Sequence, residues 1–167
     1  ALIVAQLDIA EQVAISHSRE LAYRLLGNAH EDVVTAFETY LKDSFQFASC
    51  HRFSSEKWAE IANKKMRGNP FQNMERAEKL FSILGLGLFA DLDAKARRRL
   101  ALNFEKRHVV GHNLGIADEK FADVSESDNV GETVELLAHE TEGFARDCLR
   151  VIKRVEQALP EFHPGTA

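Results

Sequence analysis

Residues 104–115 read Phe-Glu-Lys-Arg-His-Val-Val-Gly-His-Asn-Leu-Gly, and the rest of the chain is best interpreted outward from them. They predict the C-terminal end of a long helix, because helices often end at a residue with left-handed backbone conformation, and Gly115 lies at the position where that residue is expected. Arg107, His108 and His112 fall within six positions of one another at this end. Cations are common in the last turn of a helix, but two imidazoles and a guanidinium so close together also indicate a functional site.

The chain has 167 residues, of which 45 % are hydrophobic and 28 % are charged. This length suits one domain with a real core. Only three prolines and nine glycines interrupt the chain, and neither a strand pattern nor an internal repeat stands out. The sequence therefore predicts an all-α, single-domain bundle of about five to six helices over residues 1–167, with antiparallel long helices. Because the chain does not begin with methionine, a domain from a longer protein is one interpretation.

Apolar spacing predicts the positions of the helices. Residues 2–26 are predicted as a first helix, with Gly27 as its stop. A capping box formed by Asn28 and Glu31 is predicted to begin the second helix, which runs to about residue 48. Further helices are predicted over residues 56–66, 74–84, about 91–112 and 131–159. Residues 116–127 are predicted to form an irregular loop.

The formal net charge of −5 excludes a general attraction of the whole molecule for nucleic acid. The charge is unevenly distributed, however. Residues 94–108 contain six basic residues and one acid, whereas residues 118–142 contain nine acids and one lysine. A local basic patch would therefore have to attract any polyanion.

Two cysteines, Cys50 and Cys148, suit a reducing compartment better than a disulfide framework. The sequence contains no 18-residue apolar run and no basic segment before an apolar N-terminus. We therefore expect a cytoplasmic protein with no membrane partner.

Spacing alone leaves three interpretations of the helix end open. The first is structural, because cations in a last turn bond the free carbonyls and complement the helix dipole. The second is metal binding, since His108 and His112 are four residues apart, although Val109 stands where zinc proteases carry a glutamate and no compact third ligand is evident. The third is phosphodiester chemistry, in which Arg107 clamps a phosphate and a histidine transfers protons.

RNA carries its own nucleophile, the 2′-hydroxyl, so such a site would need neither a metal nor a covalent enzyme nucleophile. One geometric problem remains. Arg107 and His112 are five residues apart, which places them about 140° apart around a helix and about 7.5 Å apart along it. They could act on one ligand only if the helix unwinds near Gly111 or if a second copy of the chain contributes.

The segment Arg107-His-Val-Val-Gly-His112 resembles the Arg-polar-x-x-x-His signature of the HEPN superfamily, and the likeness is specific over residues 104–121. The segment Val33-Val-x-x-Phe-Glu-Thr-Tyr-Leu41 is also similar to the early helix of these domains. The resemblance implies an all-α domain that dimerises. It also implies a metal-independent endoribonuclease without a cofactor, acting in a toxin–antitoxin, phage-defence or RNA-processing system.

The resemblance further implies roles for individual residues. Arg107 and His112 would be the catalytic pair, and His108 would fill the polar second position, where asparagine is commoner. Asn113 and Lys106 would support the site or contact RNA, and Glu38 is the candidate for an acidic residue that some members use from an earlier helix. The partners would be RNA, a second copy, and an antitoxin or a fused effector domain. The alternative is a catalytically silent module that binds RNA or protein, as some HEPN domains do.

Overall fold

In a computed structural model of the chain, the residues described are 2–16, 19–112, 115–127 and 129–159. They form seven α-helices and one 3₁₀ turn, Pro70–Gln72: α1 (Leu2–Ser16), α2 (Arg19–Arg52), α3 (Ser55–Lys65), α4 (Met74–Ile83), α5 (Ala94–His112), α6 (Glu119–Ser125) and α7 (Ala138–Ala158). Within these ranges, strand-type pairing is limited to one isolated antiparallel bridge, between Ile116 and Thr133. The predicted all-α fold is confirmed.

The chain divides into two compact units. The first consists of Ala1–Ala36 and Ala94–Asp147, and the second consists of Phe37–Asp93 and Cys148–Ala167. The prediction of a single domain stays a prediction. The candidate catalytic residues Arg107 and His112 belong to the first unit.

The core of the first unit is built on one face of α5. Ala96, Leu100 and Phe104 are four residues apart, and all three are buried. Phe104 packs edge-on against Phe144 of α7, with ring centroids 6.1 Å apart. His30 of α2 stacks on the same phenylalanine at 5.5 Å. These contacts hold α5, which carries Arg107, against α2 and α7 within the first unit.

The second unit has an aromatic core around Phe45 of α2. Its ring contacts Trp58, Phe71 and Phe81 at centroid distances of 6.4, 6.1 and 5.5 Å. Two helices of this unit begin with side-chain caps, since Ser54 accepts a hydrogen bond from the Lys57 amide and Asn73 accepts one from the Arg76 amide. Each cap satisfies an amide that the first turn of a helix leaves unpaired.

The predicted stop at Gly27 is wrong, because α2 continues through it. Ala22, Ala29 and Val33 are buried on either side of this glycine. A glycine inside a helix costs only about 1 kcal/mol relative to alanine, so burial of the flanking apolar residues outweighs it. Asn28 therefore lies inside a helix and does not cap one. The predicted capping box of Asn28 and Glu31 is wrong as well.

The last helix begins at Ala138, not near Gly131 as predicted. Gly131 has a left-handed φ of +86°, and the segment after it is held by the Ile116–Thr133 bridge. On the other side of that bridge, residues 119–125 form the short helix α6 inside the predicted loop. Asp118 begins this helix by accepting a hydrogen bond from the Phe121 amide at 2.8 Å.

None of the helices within the described ranges is long and apolar enough to cross a membrane.

Candidate functional site

Helix α5 remains α-helical through Gly111 to His112. Just beyond its end, the Gly115 amide donates a hydrogen bond to the Val109 carbonyl at 3.1 Å. Gly115 has a φ of +78°, and a Cβ added there would lie 3.0 Å from the Tyr23 hydroxyl. Both features favour glycine at this position. The helix does not unwind near Gly111, so a single chain keeps the angular offset of about 140° between Arg107 and His112.

Arg107 is held by a carboxylate from another helix of the same unit. Its Nη2 donates to Glu31 Oε1 at 3.1 Å, and its Nε lies 3.3 and 3.2 Å from the two carboxylate oxygens. The Arg107 side chain is 24 % exposed and that of Glu31 is 45 % exposed. Two-point pairing of this kind fixes the plane of the guanidinium as well as its charge. Arg107 is therefore oriented before any ligand binds.

The acid that meets Arg107 is Glu31, which the sequence analysis placed in a capping box. Glu38, the acidic residue chosen from the sequence, accepts hydrogen bonds from Asn69 and Gln72 in the second unit. Glu31 and Glu38 are seven residues apart, or about two helical turns, so both fall on the same side of a regular helix. No sequence signal separates them, because the contact with Arg107 joins residues 76 positions apart.

A cleft of about 650 Å³ opens beside the Arg107–Glu31 pair. Residues of α2 and α5 line it: Tyr23, Arg24, Gly27, Asn28, His30, Glu31, Arg107, Val110 and Gly111. A Cβ added to the exposed Gly111 would meet no atom within 4 Å. The cleft is large enough for a small ligand or a nucleotide.

His30 lines this cleft but is unsuited to proton transfer near neutral pH. Its Nε2 lies 3.1 Å from Asn103 Oδ1, and the Asn103 amide nitrogen donates to the Arg99 carbonyl. The pKa of His30 is lowered to about 4, chiefly by burial; Lys106 and Arg107 contribute to the decrease, and the Asn103 hydrogen bond and Glu31 oppose it. His30 is therefore a neutral, hydrogen-bonded core residue at neutral pH.

Lys106 has an internal role in the structure. It is buried, and its Nζ contacts the Glu135 carbonyl at 2.8 Å and Glu140 Oε2 at 2.6 Å. An ammonium held by two acceptors away from solvent cannot contact RNA without breaking a largely buried pair. The expectation that Lys106 contacts RNA therefore lacks support in this geometry.

The structure describes the side chain of only one of the two histidines at the end of α5. His108 is exposed and follows Arg107 directly. His112 is the last residue of α5, and its side chain lies outside the described residues. Asn113 also lies outside them. The backbone thus places His112 one helical turn after His108, while its contacts stay a prediction.

Much of the basic run at the start of α5 is paired within the first unit. Arg98 pairs with Glu126 at 2.7 Å. Arg99 pairs with Asp147 at 2.6 Å, and the Asp147 side chain is only 3 % exposed. Lys95 and Arg97 are exposed on the same helix. The net positive charge available to a polyanion is therefore smaller than the sequence indicates.

Among the residues that the structure describes, no group of three or more histidine, cysteine, aspartate or glutamate side chains is arranged to hold a metal ion. Comparisons with family models, curated proteins and solved structures yield no match for this chain. The HEPN interpretation thus depends on residues 104–121 and the site geometry, and it stays a prediction.

Proposed function

We propose that this chain is a metal-independent endoribonuclease of the HEPN type. The observation that carries the proposal is the Arg107–Glu31 pair beside an open cleft, five residues before His112. Arginine has five N–H donors, and the contacts with Glu31 involve only Nε and Nη2. The remaining donors are suited to clamp a scissile phosphate and to stabilise the charge that develops on it.

The proposed reaction is transesterification. A histidine acting as base takes the proton of the 2′-hydroxyl, and the 2′-oxygen attacks the adjacent phosphorus. The bond from phosphorus to the 5′-oxygen breaks, and a histidine acting as acid gives that oxygen a proton. The products are a 2′,3′-cyclic phosphate and a 5′-hydroxyl. His112 is the proposed proton-transfer residue, with His108 and Asn113 orienting the reacting groups.

A homodimer is part of the proposal. Helix α5 is regular between Arg107 and His112, so an Arg107 and a His112 on one phosphate would come from different copies. Two helix ends meeting at a twofold axis would bring two Arg107 and His112 pairs together, one residue of each pair coming from each copy. RNA, a second copy, and an antitoxin or fused effector domain are the proposed partners. The proposed setting is cytoplasmic RNA processing, toxin–antitoxin control or phage defence.

RNA cleavage in EDTA tests this proposal. Purified protein should cut single-stranded or looped RNA and leave 2′,3′-cyclic phosphate ends. Arg107→Ala and His112→Ala should each lower the cleavage rate by roughly a hundredfold or more, because each removes transition-state stabilisation or a proton-transfer group. The matched controls are Arg146→Ala and His139→Ala, since both side chains lie exposed on α7.

Loss of cleavage in EDTA would exclude the metal-independent reaction. Full activity of folded Arg107→Ala and His112→Ala proteins would exclude these residues as the catalytic pair.

One observation favours a second candidate function, that of a catalytically silent RNA-binding or protein-interaction module. Arg107, Arg99 and Lys106 of α5 are each matched by an acid from another helix. Cations that are held by acids of the same chain have less charge to offer a transition state, which favours binding without turnover. This candidate predicts RNA retention that weakens as salt rises, with no cleavage products.

A further inference from the structure

A second cleft, of about 440 Å³, lies within the first unit. Residues of α5, α6 and the segment between α6 and α7 form its apolar wall: Leu102, Ala117, Phe121, Val134 and Leu137. Leu102 packs against the buried members of this wall, which are Ala117, Phe121 and Val134. Leu102 and Leu137 are only partly buried, so the wall leaves apolar surface accessible to a partner.

The cleft carries a net negative charge. Three carboxylates line it, from Glu132, Glu135 and Glu140, against the one ammonium of Lys106, which gives a net charge of −2. Glu140 is paired with Lys106. Glu132 and Glu135 are exposed and form no ion pair with another described residue. This charge repels a polyanion such as RNA and attracts a cationic partner.

Thr133, which also lines the cleft, has backbone groups that are not paired. In the antiparallel bridge that it forms, the Ala117 amide donates to the Glu132 carbonyl at 2.8 Å. The Val134 amide donates to the Gly115 carbonyl at 2.7 Å. Because the backbone groups of successive residues point to opposite edges, the N–H and C=O of Thr133 point away from the paired segment.

These two groups of Thr133 form a short free edge. Neither has a hydrogen-bond partner among the described residues, and Thr133 is exposed. An unpaired edge of this kind can accept the backbone of another extended chain. The edge lies on the same cleft as the apolar wall and the two unpaired carboxylates.

Together, the wall, the charge and the edge select one class of partner. The apolar wall suits an aliphatic or aromatic side chain. The carboxylates of Glu132 and Glu135 suit lysine or arginine. A small organic cation would use the charge but would leave the Thr133 edge unpaired. An extended peptide with basic residues around an apolar one uses all three features.

We propose that this cleft is a docking site for an extended, basic segment of a partner protein. The backbone of the segment would pair with Thr133, and an aromatic or branched aliphatic side chain would pack on the apolar wall. Neighbouring lysine or arginine side chains would meet Glu132 and Glu135. The site goes beyond the proposed ribonuclease, because docking requires neither Arg107 nor RNA.

Fluorescence polarisation with labelled peptides tests the site, and no step of the assay involves RNA. The probe is the capped pentapeptide Arg-Lys-Phe-Lys-Arg, which should bind saturably and more weakly as salt rises. A peptide with serine in place of phenylalanine should bind at least about tenfold more weakly, because it has no apolar side chain to bury. A peptide with glutamate in place of all four cations should not bind.

A double variant tests the charge without altering the core, because Glu132 and Glu135 are exposed. Glu132→Gln combined with Glu135→Gln should weaken binding of the phenylalanine peptide by about threefold to tenfold at low salt. The matched control combines Glu11→Gln with Glu156→Gln, which removes two exposed acids elsewhere. This control should bind the peptide as wild type does.

A second pair of variants tests the backbone edge. Thr133→Pro removes the free N–H and should weaken binding of the phenylalanine peptide several-fold, whereas Thr133→Val keeps the N–H and should preserve binding. Absence of saturable binding, or equal binding of the phenylalanine and serine peptides, would overturn the proposal. So would unchanged binding in both the double variant and Thr133→Pro. Displacement of the labelled peptide by spermidine as readily as by unlabelled peptide would indicate a site for small cations instead.

Discussion

Among single residues, Glu31 has the clearest expected effect on catalysis. It contacts the Arg107 guanidinium at two nitrogens and is about half exposed, so its contribution to stability should be small. Ion pairs with this exposure contribute about 0–1 kcal/mol to folding. Its main role would be to fix the direction in which Arg107 presents its remaining donors. Glu31 is therefore a proposed positioning residue.

Glu31→Gln should lower kcat for RNA cleavage by roughly tenfold to a hundredfold, because small misplacements of a catalytic group are costly. The KM for RNA should not rise, since removal of a carboxylate reduces repulsion of phosphate. Glu31→Asp should recover part of the rate. Steady-state kinetics and urea unfolding of both variants give the comparison, with Glu142→Gln as the surface control. An unchanged kcat in Glu31→Gln would contradict the positioning role.

His30 should make folding depend on pH. Its folded pKa of about 4 lies below the unfolded value of 6.5, so the unfolded chain binds more protons between these values. The stability from neutral His30 is complete above about pH 6.5 and is lost as pH falls towards 4. Between pH 7.5 and pH 5, the free energy of unfolding should fall by about 2 kcal/mol through this residue.

Urea unfolding at several pH values measures this loss. His30→Gln, which keeps a polar group near Asn103, should show a pH dependence smaller by about that amount. His139→Gln is the control, since His139 is exposed. An equal pH dependence in wild type and His30→Gln would contradict the buried, neutral state of His30.

At the level of helices, two glycines should respond to alanine in opposite directions. Gly27 lies inside α2, and an added Cβ would meet only Leu136 Cδ1, at 3.9 Å. Gly27→Ala should raise the free energy of unfolding by about 0.5–1 kcal/mol. Gly115→Ala should lower it by at least about 1 kcal/mol, because of the positive φ and the contact with Tyr23. Urea unfolding of both variants is the measurement, and a shift of the same sign in both would contradict these backbone assignments.

The same two glycines show what the sequence could predict about helices. Gly115 follows a helix end and has the left-handed conformation that its position indicated. Gly27 looked like an equally good stop, but the helix around it is stabilised by buried residues that local patterns do not weigh. The start of α7 was mispredicted for a related reason, since residues 132–134 pair with a segment that comes earlier in the chain. Local signals predict caps and turns, whereas tertiary contacts decide where long helices begin and end.

The candidate site, like the helices, could be predicted from the sequence only in part. Arg107, His108 and His112 stand out in the sequence because they are close together. Glu31 and Asn103 could not be selected, because their roles arise from contacts made in the folded unit. The pairing of Lys106 with Glu140 could not be predicted either, since a lysine in a basic segment gives no sign that it is buried.

For the whole molecule, the proposed homodimer would share each site between two copies, because α5 stays regular between Arg107 and His112. Mixing Arg107→Ala and His112→Ala proteins, with subunit exchange, tests this arrangement. If Arg107 and His112 of one site come from different copies, each mixed dimer contains one intact site and one site that lacks both residues. Activity should then return to about half of wild type per mixed dimer, or about one quarter after random exchange.

The two variants assayed separately are the controls for this experiment. Mixed dimers as inactive as their parents, with exchange shown by native mass spectrometry, would place both residues of each site on one chain.

The ion pairs of α5 also constrain how this chain can change by mutation. Replacement of Arg99 by itself should be costly, because it removes the guanidinium that pairs with the buried Asp147 carboxylate. The same reasoning applies to Lys106, whose loss leaves the Glu135 carbonyl and Glu140 without their donor. Viable substitutions at these positions should therefore arise in pairs, one in α5 and one in α7. Substitutions in α5 at these two positions are therefore expected to accompany substitutions in α7.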